Sequence, residues 1–130
     1  MQPLRPVGRV AELGSLARIT RMETFTVDEV VKQWFESDKT MFDACTEAPE
    51  VAWAAILQIL QRELTAKQLS WLAAGPVETL LSHHGPAFIE RVEREARQNS
   101  RFHHLLGGVW RLGMTQDVWD RLRRARGEQI

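Results

Sequence analysis

Cysteine is nearly absent from this chain: Cys45 is the only one among 130 residues. With no second thiol, an internal disulfide is excluded, and a reducing cytoplasm is the expected setting. Excess charge is absent too, since 17 Lys and Arg balance 17 Asp and Glu. That balance argues against a protein dedicated to nucleic acid or to an anionic membrane surface. Long apolar runs are missing. The longest, 51–60, is broken by Gln58 and is well short of the roughly 20 residues a membrane-spanning helix needs. Glu12 and Arg18 divide the apolar residues near the start, so no secretory segment is expected there. No stretch alternates apolar and polar residues with period two, which argues against a sheet.

What is present is helical periodicity. At 130 residues the chain is long enough for one domain that buries roughly two-thirds of its unfolded surface. Thr26 and Glu29 have the spacing of a capping box, followed by an apolar stripe of Val27, Val30, Val31, Trp34 and Phe35. The polar run 36–40 ends that stripe. A longer helix is expected from near Pro49 to near Leu64, with Trp53, Ile56, Leu57 and Leu60 inward. Thr65 and Gln68 make a second capping box before Leu69, Leu72 and Ala73. Gly75-Pro76 and Gly85-Pro86 each read as the stop of one helix and the start of the next. Asn99-Ser100 reads as a stop and a cap ahead of Phe102, Leu105, Leu106, Val109 and Trp110, and Thr115 caps a last helix bearing Val118, Trp119 and Leu122. The expected fold is all-α: a single bundle of about seven short helices over residues 23–126, with all five tryptophans on inner faces. Residues 88–94 echo 118–124 at an offset of thirty, which raises stacked helical hairpins as a variant. Residues 1–22, with Arg5, Arg9, Arg18 and Arg21 against one acid, read as a loosely held arm or as sequence ahead of the true translation start at Met22. A basic arm for anionic partners and a transit peptide are lesser alternatives.

Charge is unevenly distributed along the chain. Residues 23–63 hold nine acids against three bases, a net of −6, and residues 86–130 hold nine arginines against six acids, a net of +3. Asp38, Asp43, Glu47 and Glu50 flank Met41 and Phe42 in what reads as a connection between helices. Acids around an apolar pair suit a basic protein partner, by steering and a small hydrophobic anchor. The competing reading tucks Met41 and Phe42 into the core. Arg121, Arg123, Arg124 and Arg126 crowd the last helix; they carry the alternative of a nucleic-acid-associated protein, although cations also suit a helix C-terminus.

No pattern names a reaction. The pairs His83-His84 and His103-His104 invite a metal-dependent enzyme as a minor alternative. Adjacent helical residues point about 100° apart, so a site needs one His from each pair and a carboxylate such as Glu90 or Asp120. No His-Glu-x-x-His is present. Cys45 has no histidine near it in sequence, and a buried or idle thiol is the expected state. Gly107-Gly108 follows no strand and precedes no Lys-Ser/Thr, so it is no phosphate loop. No catalytic residue, cofactor or metal is therefore expected.

The block Trp71-Leu72-Ala73-Ala74-Gly75-Pro76-Val77-Glu78 with Leu80-Leu81 and His84-Gly85, then Ile89 to Glu93, Arg101-Phe102 and Leu106 to Trp110, resembles a bacterial domain-of-unknown-function family. The likeness runs from about Val27 to Leu122. It implies a small, stand-alone, helical bacterial protein, and it carries over no catalytic residue. The function expected is a cytoplasmic interaction module of the adaptor, inhibitor or immunity type.

Overall fold

A computed structural model describes residues 25–129, and all of its regular structure is helical. The chain forms α1 (Val27–Trp34), α2 (Lys39–Glu47), α3 (Pro49–Leu60) and α4 (Ala66–Leu72). A single π-helical turn (Ala73–Val77) then leads into α5 (Glu78–Gln98), α6 (Ser100–Leu106) and α7 (Gln116–Ala125). The reading of residues 1–22 lies outside the described residues.

The helix starts follow from short polar side chains that take up orphan backbone donors. Thr65 and Gln68 close a reciprocal capping box at α4, with Gln68 N donating to Thr65 Oγ1 over 3.0 Å and Thr65 N to Gln68 Oε1 over 2.9 Å. Thr26 caps α1 by accepting from Glu29 N, but Glu29 does not reciprocate; its carboxylate accepts instead from Gln33 one turn on. Thr115 caps α7. At α6 the cap is Asn99 rather than Ser100, its Oδ1 accepting from the backbone of Arg101 and Phe102. Pro49 occupies the first turn of α3, where its missing N–H costs nothing.

Three expectations are corrected. The first concerns Gly75-Pro76, which bends the chain without ending its helix: residues 66–83 run on from α4 through the π turn into α5. At Gly85-Pro86 one helical segment does stop and another start, and α5 is two segments joined across a kink at His84 (φ −134°, ψ 26°). Proline disfavours helical backbone in the residue before it, partly through that residue's Cβ, and glycine has none. Gly75 before Pro76 therefore lets the helix continue past a missing hydrogen bond. Gly85 is small for a different reason, because an added Cβ would lie 3.1 Å from Val118 Cγ1. Its absence lets α7 approach α5 closely.

The second correction is α2. Residues 39–47, read as a connection, are a helix that buries Met41, Ala44 and Cys45 against the core. Only three of its nine positions face inward, which leaves little apolar stripe to recognise. The third concerns tryptophan. Trp34 is buried and Trp53 and Trp119 are partly buried, but Trp71 and Trp110 are 55% and 73% exposed. Trp71 lies one residue from the Leu72 face of α4, and α6 ends at Leu106, which leaves Trp110 on a loop.

One contiguous core joins the elements, from Val30 and Val31 of α1 to Val118 and Leu122 of α7. The bent α5 is its axis, packed by α2, α3, α6 and α7. Trp53 of α3 meets Phe88 and Phe102 with ring centroids 6.0 and 5.5 Å apart, binding the two halves of the chain. Each large aliphatic so enclosed contributes about 1.5–3 kcal/mol. The echoing segments 88–94 and 118–124 lie in α5 and α7, two neighbours in this shared core. Among the described residues no helix is long and apolar enough to cross a membrane.

Candidate functional site

The turn between α1 and α2 and the π turn after α4 face each other across a cleft of about 500 Å³. Trp34 and Phe35 supply one wall and meet edge to face, with ring centroids 5.1 Å apart. Trp71, Ala74, Gly75 and Pro76 supply the other, with Gln68 above them. Glu36, Ser37 and Asp38 form the rim. A recess of about 40 Å³ continues past Asp38 to Met41, Phe42 and Thr79.

Local chemistry explains why this rim is left open. Asp38 stands at the N-cap position of α2 yet makes no cap bond; Ser37 Oγ takes the Lys39 N–H instead, at 3.3 Å. Neither Glu36 nor Asp38 has a side-chain partner among the described residues, and both are exposed. The opposite wall is shaped by Pro76. With no N–H to donate, it interrupts the helical ladder, and the turn widens so that Glu78 N reaches back five residues to Ala73 O. The Cys45 thiol donates to Pro76 O over 3.4 Å and ties this turn to α2. Burial pushes that thiol up to about 12, so Cys45 is a packed, unreactive group. An added Cβ at Gly75 would meet nothing within 4 Å, because the position opens onto the cleft.

Two cations stand over the outward rings: Arg62 lies 5.2 Å from the Phe35 centroid and Lys67 5.2 Å from that of Trp71. The cleft offers aromatic faces and carboxylate acceptors to an apolar or cationic group. Its titratable lining is Glu36 and Asp38, and no histidine stands beside Ser37 to activate it.

The acidic surface expected from the sequence is divided by the fold. Asp38 lies between cleft and recess, Met41 is buried at the recess floor, and Phe42 beside it is 53% exposed. Asp43 pairs with Lys39 along α2. Glu47 ends α2 and does not line the cleft. Glu50 is held by Arg91 in a two-bond fork of 2.7 and 2.8 Å, which lowers its pKa and joins α3 to α5. Sequence reasoning missed Trp34, Phe35, Trp71 and the π turn as partners of Asp38. A signal for Trp71 was present, since it falls off the Leu69-Leu72-Ala73 face.

Most of the C-terminal arginines are occupied. Arg121 forks onto Glu93 at 2.6 and 2.8 Å, a bond that holds Glu93 below the usual carboxylate range. Arg123 and Arg126 both reach Glu128, and Arg126 also donates to the carbonyls of Leu106 and Val109. Arg124 remains exposed. The histidines do not converge. His84 bonds Thr46 O and His83 bonds Thr79 O, while His103 and His104 are exposed on α6. Among the described residues no group of three or more His, Cys, Asp or Glu could hold a metal ion.

The model of a family of unknown function, DUF6869, matches residues 24–130. The chain belongs to that family. Its match takes in both blocks, 71–85 and 89–110, on which the resemblance in sequence rests. No curated protein and no solved structure matches the chain. In DUF6869 terms, the cleft lies within the matched region, between its first two helices and the Gly75-Pro76 turn.

Proposed function

We propose that this DUF6869 protein is a small, non-catalytic interaction module of the bacterial cytoplasm, of adaptor, inhibitor or immunity type. Its partner places a segment combining a cationic and a bulky apolar side chain in the aromatic cleft. The observation that carries this reading is the pairing of Trp71 and Phe35 with Glu36 and Asp38, carboxylates whose charge no described side chain answers. Large aromatic groups left in water beside uncompensated acids are the composition of a binding anchor. The cytoplasmic setting rests on Cys45, a lone buried thiol, and the bacterial one on the resemblance in sequence.

Salt-dependent binding to phosphates needs several uncommitted cations. Arg121, Arg123 and Arg126 are each bonded within the fold, so nucleic acid is the weaker reading.

The test is a titration with short peptides joining Arg or Lys to Trp or Leu, followed through the Trp71 indole N–H signal by NMR. Saturable shifts of that signal are expected, with affinity reduced about tenfold or more in Glu36→Lys/Asp38→Lys. A panel that leaves the Trp71 signal unmoved at about 1 mM peptide overturns the reading.

A further inference from the structure

The loop between α6 and α7 carries apolar side chains that the core does not take. Trp110 and Leu112 are 73% and 68% exposed, on either side of Arg111. The backbone beneath them is tied at several points. Trp110 N donates to the buried Glu78 carboxylate over 2.8 Å, and Gly113 N to Ser82 Oγ over 2.9 Å. Arg126 holds the carbonyl of Val109 at 2.8 Å, and Val109 and Met114 at the loop's ends are buried. Arg111 donates to Met114 O and to the Gln116 amide oxygen. Both acceptors are neutral, so among the described residues no carboxylate answers its charge. A loop fixed this firmly, with a tryptophan and a leucine held out in water, has already met the ordering cost of binding.

We propose that this loop is the partner of the cleft on a second copy of the same chain. The assignment rests on the functional reading above and names its partner. The loop has the chemistry the cleft asks for, with one cation between two bulky apolar groups. Arg111 matches Glu36 and Asp38 in charge, and about 500 Å³ of cleft is within the range that accepts a side chain as large as an indole. No loop residue lines the cleft of its own chain. Loop and cleft are different patches, so the contact is heterologous: the loop of one copy enters the cleft of the next. Such a contact is small and belongs to the weak, concentration-dependent class.

The test is sedimentation equilibrium on the full chain between roughly 10 µM and 1 mM, the range of weak association. The native protein is expected to gain mass across it. A loop variant, Trp110→Ala/Leu112→Ala, and a cleft variant, Trp71→Ala/Asp38→Lys, should each stay at the mass of one chain. Mixed together, they should form a one-to-one pair, because one supplies the intact cleft and the other the intact loop. Far-UV circular dichroism confirms that each is folded. The charge exchange Arg111→Glu with Asp38→Arg, made in separate chains, gives a second route: each alone is weakened and the mixture is restored. A native chain that stays monomeric at 1 mM, or one whose association neither variant changes, overturns the proposal. If the chain is monomeric while the peptides above still bind, the cleft reading stands and only the choice of partner falls.

Discussion

The two charged regions of this protein use their side chains in opposite ways. On the C-terminal side, Arg121 forks onto Glu93, Arg123 and Arg126 share Glu128, and Arg126 also gathers two loop carbonyls. Those cations hold α5, α6, α7 and the intervening loop in place. Around the α1–α2 turn, Glu36 and Asp38 make no such bond among the described residues, and Phe35 and Trp71 stand beside them in water. In sequence both regions look alike, as clusters of one sign. The contrast shows that a charge cluster is informative about function only after its internal partners are subtracted.

That comparison can be broken at several levels. The largest effect belongs to the shared core beneath the C-terminal side. Leu122→Ala removes a fully buried side chain between α7 and α5 and should cost about 2–5 kcal/mol by urea unfolding. A smaller value would mean that α7 is loosely held and its arginines are not structural. Next is Glu93→Ala. It frees a guanidinium about one-third exposed, and a loss of about 1 kcal/mol is expected. No loss would return Arg121 to the pool of available cations.

The pH dependence sharpens the same contrast. Bonds from Arg121 and Arg91 hold Glu93 and Glu50 below the ordinary carboxylate value of 4.5. Their contribution is present above that value and is lost as pH falls through their folded pKa values. Glu78 acts the other way. Burial raises it above 4.5, against the lowering effect of the Trp110 N–H bond. Its contribution is full below 4.5 and is lost as pH rises through the folded value. Glu78→Gln keeps an acceptor for Trp110 N but cannot take up that proton. Gln matches the protonated, neutral form at every pH, so this variant should be more stable than the native protein at neutral pH and equal to it well below 4.5 by urea unfolding; no gain at neutral pH would show that Glu78 is solvated. The smallest effect is at Cys45. A thiol-specific reagent should label it only as fast as the chain unfolds, and prompt labelling of the native protein would place the thiol at the surface.

The parts of the fold legible in the sequence are those decided locally. Thr26, Thr65 and Thr115 announce helix starts because a cap involves residues two or three apart. The stripe Val30, Val31, Trp34 and the face Phe88, Ile89, Val92 announce burial because period 3.6 is a property of one helix. The helix 39–47 was hidden because Lys39, Thr40, Asp43, Thr46 and Glu47 outnumber its inward residues. Gly75-Pro76 misled because glycine removes the clash that normally stops a helix before proline. The cleft was the least legible feature of all. Residues 34–38 and 68–76 meet only through tertiary packing, and of the surface expected there, Asp38 and Phe42 remain available while Glu50 is taken by Arg91.

The central claim is that the cleft's side chains are kept for a partner and not for the fold. Equilibrium urea unfolding of Glu36→Lys/Asp38→Lys/Trp71→Ala, followed by far-UV circular dichroism, tests it most directly. Glu36 and Asp38 are exposed, and Trp71 is more than half exposed with Lys67 over its ring, so the variant should lie within about 1 kcal/mol of the native protein. A loss of about 3 kcal/mol or more, the scale of a core truncation, would contradict the account and make the cleft part of the scaffold.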